Sequence, residues 1–287
     1  MATVQSATLP ALASRSQPTG FSAVLPALGL VVLFFVLPVL ALLMRSILEP
    51  TPGFENYAEF FGSTTYLKVL SNTFVVAAVV TVVMLAIGFP VAWFLAIAPR
   101  RWSSLLFAII ILSMWTNLLA RTYAWMVLLQ STGVINRALM SLGLISEPLP
   151  LINNLIGVTI GMTYIMLPFM VMPLHATIRT IEPSTFQAAS LCGASKWQCL
   201  TRVLLPLVSP GIAAGGLMVF VMSLGYFVTP ALLGGTSNMM LAELIAQLVQ
   251  SLLNWGLAGT AALVLLVVTL AIYAVQIRFF GFGKTST

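Results

Sequence analysis

Few of the 287 side chains could do acid–base, nucleophilic or metal chemistry. There is one histidine, His175, with two cysteines, Cys192 and Cys199, six glutamates and no aspartate. A metal site needs several His, Cys, Asp or Glu ligands within reach of one another, and covalent catalysis needs a nucleophile beside a base. One histidine and no acid in an apolar run assemble neither, so an enzyme is disfavoured and no metal or cofactor is expected in this chain. The stretch GFGKT at 281–285 resembles the end of a phosphate loop, but the position of that motif's first glycine holds Arg278. What remains is binding chemistry. Trp115, Asn117, Tyr123, Tyr164, Ser223, Tyr226 and Thr229 are polar or amphipathic groups in apolar surroundings that could line a solute path, or else simply pack and anchor. Aromatic faces and carboxylates attract organic cations. No apolar run holds an acid, and Glu243 is the one carboxylate expected near a cavity mouth. Arg121 is expected to snorkel toward the surface, with an anionic ligand or a lipid head group as the other reading.

These groups must be positioned by apolar helices. The chain is 60% hydrophobic and 6% charged, with a mean hydropathy of +1.08, which implies an all-α polytopic membrane protein without a separate soluble domain. Residues 1–20 read as a disordered tail rich in Ser, Thr, Ala and Pro, and 281–287 as a second tail. Between them, apolar runs at about 21–45, 72–98, 104–129, 153–175, 210–231 and 257–278 each approach or exceed the ~20 residues that cross a ~30 Å hydrocarbon layer. The first is too long for a signal-peptide core. Six transmembrane helices follow.

A net charge of +6 would suggest nucleic acid in a soluble protein, but its distribution speaks for a membrane and against nucleic acid. With both termini cytoplasmic, that side holds Arg15, Arg100, Arg101, Arg179, Lys196, Arg202, Arg278 and Lys284 against Glu182 alone. The other side holds Arg45, Lys68, Arg121 and Arg137 against five glutamates. This is the asymmetry that sets membrane topology. On the outer side, 54–70 mixes aromatics with charges and is expected along the interface, and 132–150 suggests a short helix before the fourth span. In 239–255, Leu241, Ile245, Leu248 and Leu252 share a helical face, with Glu243, Gln247, Gln250 and Asn254 off it. That segment is too polar to span and reads as interfacial or cavity-lining.

Between the fourth and fifth runs lies Glu182–Ile212, unusually polar for this chain. Ser184 with Gln187, and Ser195 with Gln198, are spaced as capping boxes, so each predicts a helix start. Gly193 falls between them, where a chain leaving a helix adopts a conformation that glycine enters without steric cost. Pro206 and Pro210 are expected to close the second helix. Ala188 and Ala189 leave the first helix nearly bald, suited to close docking, and Cys192 and Cys199 are expected as small packing residues in a reducing compartment.

The pattern Gln187-Ala188-Ala189, then Gly193-Ala194-Ser195, then Leu205-Pro206, resembles the EAA loop of the membrane subunits of binding-protein-dependent (type I) ABC importers. It departs in one place, with Gln187 where the family has Glu. Softer elements resemble the spermidine/putrescine-type branch: Tyr66–Thr73, Trp115–Trp125, Gly133-Val134-Ile135-Asn136, Leu167-Pro168-Phe169 and Gly225–Gly235. The resemblance implies a multi-pass subunit of the bacterial inner membrane that pairs with a second, similar permease in a heterodimer. Its other expected partners are membrane lipid, two ATP-binding subunits carrying ATP and Mg, and an external substrate-binding protein. It implies a cytoplasmic coupling helix that docks on the ATPase and a polyamine or related cargo. Amino acids or opines, thiamine, metal-chelates and oxyanions stay open as cargo, as does, less favoured, a self-contained secondary carrier.

Overall fold

A computed structural model describes residues 20–280; of the tails read at 1–20 and 281–287, residues 1–19 and 281–287, with Arg15, Lys284 and the GFGKT stretch, lie outside the described residues, and Gly20 opens the first helix. The described chain is helical throughout. Its elements are α1 (Gly20–Val31), α2 (Leu37–Leu48), α3 (Glu55–Gly62), α4 (Thr64–Ile97), α5 (Arg100–Trp115), α6 (Leu118–Leu129), α7 (Val134–Ser141), α8 (Leu155–Arg179), α9 (Pro183–Leu191), α10 (Lys196–Gln198), α11 (Leu205–Leu224), α12 (Val228–Leu233), α13 (Leu241–Gln250) and α14 (Trp255–Phe280). π-Helical turns at Val32–Val36 and Cys199–Leu204 join α1 to α2 and α10 to α11. Among the described residues, five helical stretches are long and apolar enough to cross a membrane, and a sixth does so if the bent pair from Arg100 to Ser141 counts as one span.

The core sits where α4, α8 and α11 pack together. Val80, Met84, Met162, Met166, Met170, Leu174 and Val208 are fully buried there, and glycine lets the helices approach. A Cβ on Gly211 would stand 2.6 Å from the Thr177 hydroxyl, and one on Gly215 would stand 3.0 Å from the Met170 sulfur. Both glycines of this G-x-x-x-G pair therefore serve packing inside the chain. Gly161 in α8 faces Leu233 and Thr229 of α12. A second cluster, with Phe60, Val69, Leu241, Leu248, Leu257 and Ala261, binds α3 and the start of α4 to α13 and α14. Thr73 links the clusters. Its hydroxyl accepts from the Leu241 N–H at 2.8 Å and so serves an orphan donor at the start of α13, whose own N-cap, Met240, offers no side chain for the purpose.

Four local expectations are corrected. Residues 54–70 are not one segment: α3 stops at Gly62 and 64–70 form the first turns of α4, where Val69 and Thr73 are buried. The run 104–129 is not one straight helix. The segment from Leu118 turns 103° away from α5, since Asn117 caps α6, its side-chain oxygen accepting from the N–H groups of Leu119 at 2.9 Å and Ala120 at 3.2 Å. Pro206 and Pro210 do not end a helix; they lie inside a continuous Lys196–Leu224 stretch. Pro210 cannot donate to the Pro206 carbonyl, and the Ser209 hydroxyl does so instead at 2.8 Å, the kind of substitution that lets membrane helices tolerate proline. The fifth span accordingly starts and finishes earlier than 210–231, and Tyr226 and Thr229 fall in the turn and short helix beyond it. Finally, Leu252 lies past the end of α13 and is exposed, while Leu244 joins Leu241 and Leu248 on the buried face.

Candidate functional site

Two places have the character of sites. The first is the α9–α10 turn. Pro183 occupies the first turn of α9, where its fixed φ and missing N–H cost nothing. The cap is Glu182, so Ser184 is not part of a capping box: its hydroxyl donates to the Glu182 carboxylate at 3.1 Å. The Ser195–Gln198 box is present in both directions, with Gln198 N–H to Ser195 Oγ at 3.3 Å and Ser195 N–H to Gln198 Oε1 at 2.8 Å. Gly193 has φ +80° between the two helices. Phe186 roots α9 against the main cluster, whereas Gln187, Ala188, Leu191, Ser195 and Trp197 are exposed, Leu191 by 89% and Trp197 by 71%. Ala189 and Ala194 are half-buried, and Leu205 and Pro206 are exposed at the first two positions of α11. Large apolar groups uncovered on a capped, rigid turn make a surface suited to another protein. Cys192 is exposed and Cys199 half-buried, both free; Cys192 is thus a surface residue and not a packing one. A cleft of about 270 Å³ lies under the turn between Trp93, Phe186, Leu200 and Leu204.

The second place is a cavity of about 180 Å³ at the bend between α5 and α6, lined by Met114, Ile165, Phe169, Met222, Arg121 and Tyr226 among others. Of the path residues expected from sequence, Tyr226 lines this cavity, and Tyr164 lies near it beside Arg121. Arg121 Cζ lies 6.0 Å from the Tyr164 ring centre, which meets Trp125 edge-on at 5.9 Å. Ser223 is buried three residues before Tyr226, its hydroxyl without a partner among the described residues. Thr229 is buried against Thr122, with hydroxyls 3.3 Å apart. The remaining candidates stand elsewhere. Trp115 ends α5 with 85% of its surface exposed, Asn117 is spent on the cap, and Tyr123 is half exposed on α6. Glu243 lies on α13, half-buried, with Oε2 enclosed and unpartnered among the described residues. Burial pushes its carboxyl pKa up, partly offset by a backbone hydrogen bond at Met240.

Arg121 is half-buried, and its Nε is enclosed and finds no hydrogen-bond partner among the described residues. What sequence reasoning missed is the bend that places it in one cavity with Tyr226. The signal was Asn117, a cap residue ahead of Leu118 and Leu119. Among the described residues no group of three or more His, Cys, Asp or Glu could hold a metal ion.

Residues 88–279 match the family described as binding-protein-dependent transport system inner membrane component. The chain is 34% identical over 248 residues to the spermidine/putrescine transport system permease protein PotB of Salmonella typhimurium, covering 84% of this chain and 86% of that protein. It is also 34% identical to PotB of Escherichia coli strain K12, over 84% and 90% of the two chains. The fold is similar to that in the crystal structure of a bacterial alginate ABC transporter in complex with its alginate pentasaccharide-bound periplasmic protein. The TM-score is 0.75 at 19% identity, over 91% of this chain and 94% of that one.

Proposed function

Because the chain belongs to the family of binding-protein-dependent transport system inner membrane components, we propose that it forms half of the path by which a small organic amine of the polyamine class enters the cell. ATP hydrolysis is supplied by a separate subunit. The cargo class is supported by the likeness to the two PotB proteins, whose names specify spermidine and putrescine. The reading of the α9–α10 turn is supported by one observation: a capped, positive-φ turn holds Leu191 and Trp197 uncovered.

In this reading the turn is cytoplasmic, consistent with the basic residues around it, and α9 is the coupling helix that fits a groove of the ATP-binding subunit. Gln187, Ala188 and Ala189 form the small contact face. Gly193, Ala194 and Ser195 shape the turn, and Leu205 and Pro206 carry its motion into α11. Two ATP-binding subunits, a second permease and an external binding protein complete the assembly, with the termini on the cytoplasmic side. Cargo is handed from the binding protein to a path that this chain forms with Tyr226, in the cavity at the α5–α6 bend, and with Tyr164, Ser223 and Thr229. Trp115, Asn117, Tyr123 and Glu243 mark its approaches. Thiamine, metal-chelate and oxyanion cargoes give the competing outcomes of a ligand screen on the binding protein.

The test is Ala188→Trp. The position is exposed, so the chain should insert and fold normally, while the ATP-binding subunit no longer co-purifies and ATP-dependent uptake is lost. An intact complex with normal uptake would remove α9 from the docking surface.

A further inference from the structure

A further cavity, of about 470 Å³, opens where the α2–α3 connection meets the turn from α13 into α14. It shares no lining residue with the cavity at the α5–α6 bend. Glu49, Asn56 and Glu59 give it polar groups, and Leu252, Leu253 and Trp255 supply apolar surface. Asn254 also lines it, with its side-chain oxygen already accepting from the Leu257 N–H at 3.0 Å. No Lys, Arg or His is among the lining residues.

Asn56 sets the chemistry of this cavity. It is only 5% exposed, and its Nδ2 donates to two backbone carbonyls, that of Ser46 at 3.0 Å and that of Glu49. Two carbonyl partners fix which end of the amide is nitrogen, so the end left over is an acceptor. That oxygen, Oδ1, receives no hydrogen bond among the described residues. A nearly buried acceptor without a donor is costly, yet the packing holds it in place. A Cβ on Gly256 would stand 2.6 Å from the Glu49 carbonyl and 2.8 Å from Asn56 Nδ2, so glycine is what lets the start of α14 close on the amide.

The charge beside this acceptor is negative. Glu49 is paired with Arg45 at 3.5 Å, whose guanidinium rests 5.0 Å over the Trp255 ring. Glu59 has no ion pair among the described residues. Leu252 and Leu253, both largely exposed, stand at the cavity on a turn where Leu253 takes φ +52°. The cavity thus joins oxygen acceptors and an uncompensated carboxylate to apolar surface, and what it lacks is a cation with N–H donors.

We propose that this cavity is a binding site for an alkylammonium ion, separate from the cargo path. The ammonium donates to Asn56 Oδ1 and to the Glu59 and Glu49 carboxylates, while its alkyl chain lies against Leu252, Leu253 and Trp255. A quaternary ammonium fits poorly, because it has no N–H to give Asn56. A divalent metal ion fits poorly too. Oxygen ligands must close to about 2.3–2.6 Å around such an ion, and among the described residues no third His, Cys, Asp or Glu joins the two glutamates. The assignment goes beyond the importer reading and stands on the lining of the cavity alone.

The test reads occupancy at the cavity itself. Leu253→Cys is made in the full chain with Cys192→Ser and Cys199→Ser, at a position 69% exposed, and the introduced thiol is labelled with a neutral methanethiosulfonate reagent. n-Butylamine is ionised at neutral pH, as a lysine is. It should slow labelling by about fivefold or more at saturation, since a seated ligand buries most of its contact surface, with half-protection in about the millimolar range expected of so small a ligand. Adding Glu59→Gln should raise that half-protection concentration by about tenfold and leave the labelling rate without amine unchanged, which shows that the turn is intact. Tetramethylammonium at the same concentration should not protect.

The proposal is overturned if n-butylamine gives no protection, if Glu59→Gln leaves protection unchanged, or if tetramethylammonium or sodium chloride protects equally well. Protection by magnesium or calcium at lower concentration than by the amine assigns the cavity to a metal ion, and protection only when the external binding protein is added assigns the ammonium to a lysine of that protein; either also overturns it. Failure of the importer reading is distinguishable, because there the wild-type complex shows no ATP-dependent uptake, whatever the protection.

Discussion

Gly211 and Gly193 mark two regions of the molecule that need glycine for opposite reasons. Gly211 has ordinary helical geometry in α11, but a Cβ there would stand 2.6 Å from Thr177 Oγ1, 2.9 Å from Thr177 Cβ and 3.2 Å from the Pro173 carbonyl. At Gly193 a Cβ would meet nothing within 4 Å, yet φ is +80°. One region is defined by what it touches within the chain, the other by a shape held out to something else. The core of α4, α8 and α11 is thus structurally complete in this chain, whereas the α9–α10 turn is complete only as a presented surface.

Substitution should separate the two. Gly211→Val collides with backbone and a β-branched side chain, neither of which can rotate away, so overpacking of about 3 kcal/mol is expected. Thermal unfolding of the purified chain in detergent should show a large drop in Tm or no recoverable protein. A Tm within a degree or two of wild type would mean that the helices part easily, and the distinction between the regions would fail. Gly193→Val should cost less, about 1–2 kcal/mol for a left-handed conformation without glycine, and the cost falls on an exposed turn. The expected result is a folded, inserted chain whose complex hydrolyses ATP without coupled uptake. Normal uptake from that variant would break the comparison from the other side.

How far the sequence announced these regions follows from what each depends on. Apolar runs report the transfer energy of a helix into lipid, so the long helices were legible, and the spacing of Ser195 with Gln198 around a preceding glycine announced the turn. Hydropathy carries no information about direction. The bend at Thr116–Asn117 was therefore invisible to it, although the Asn117 cap was there to be read. Proline misled for a related reason: in water Pro206 and Pro210 would end a helix, but here a π-turn at Cys199–Leu204 and the Ser209 hydroxyl accommodate them. At the candidate site, Tyr164 and Tyr226 could be named from residue type. Their meeting with Arg121 depends on the bend, and so was lost with it.

Glu243 mixes the two regimes and gives the smallest expected effect. It sits on α13, whose buried face is self-sufficient, yet its Oε2 is enclosed without a partner among the described residues. Burial raises its pKa above the ordinary 4.5, so the folded chain holds the proton more tightly than the unfolded one. The stabilisation is therefore fully present below about pH 4.5 and is lost as pH rises through the raised folded value. Above that raised value the ionised carboxylate costs stability, and Glu243→Gln should relieve that cost. Half-exposure screens the charge, so the gain should be about 1 °C in Tm at pH 7.5, vanishing near pH 4. If the carboxylate is retained for a cationic cargo, uptake should fall in the same variant by about tenfold, as when an opposite charge is removed from a desolvated contact. Stability and transport then move in opposite directions, as expected where a fold tolerates a strained group for function. Unchanged uptake with a raised Tm would take Glu243 off the path and leave its enclosure a property of α13 alone.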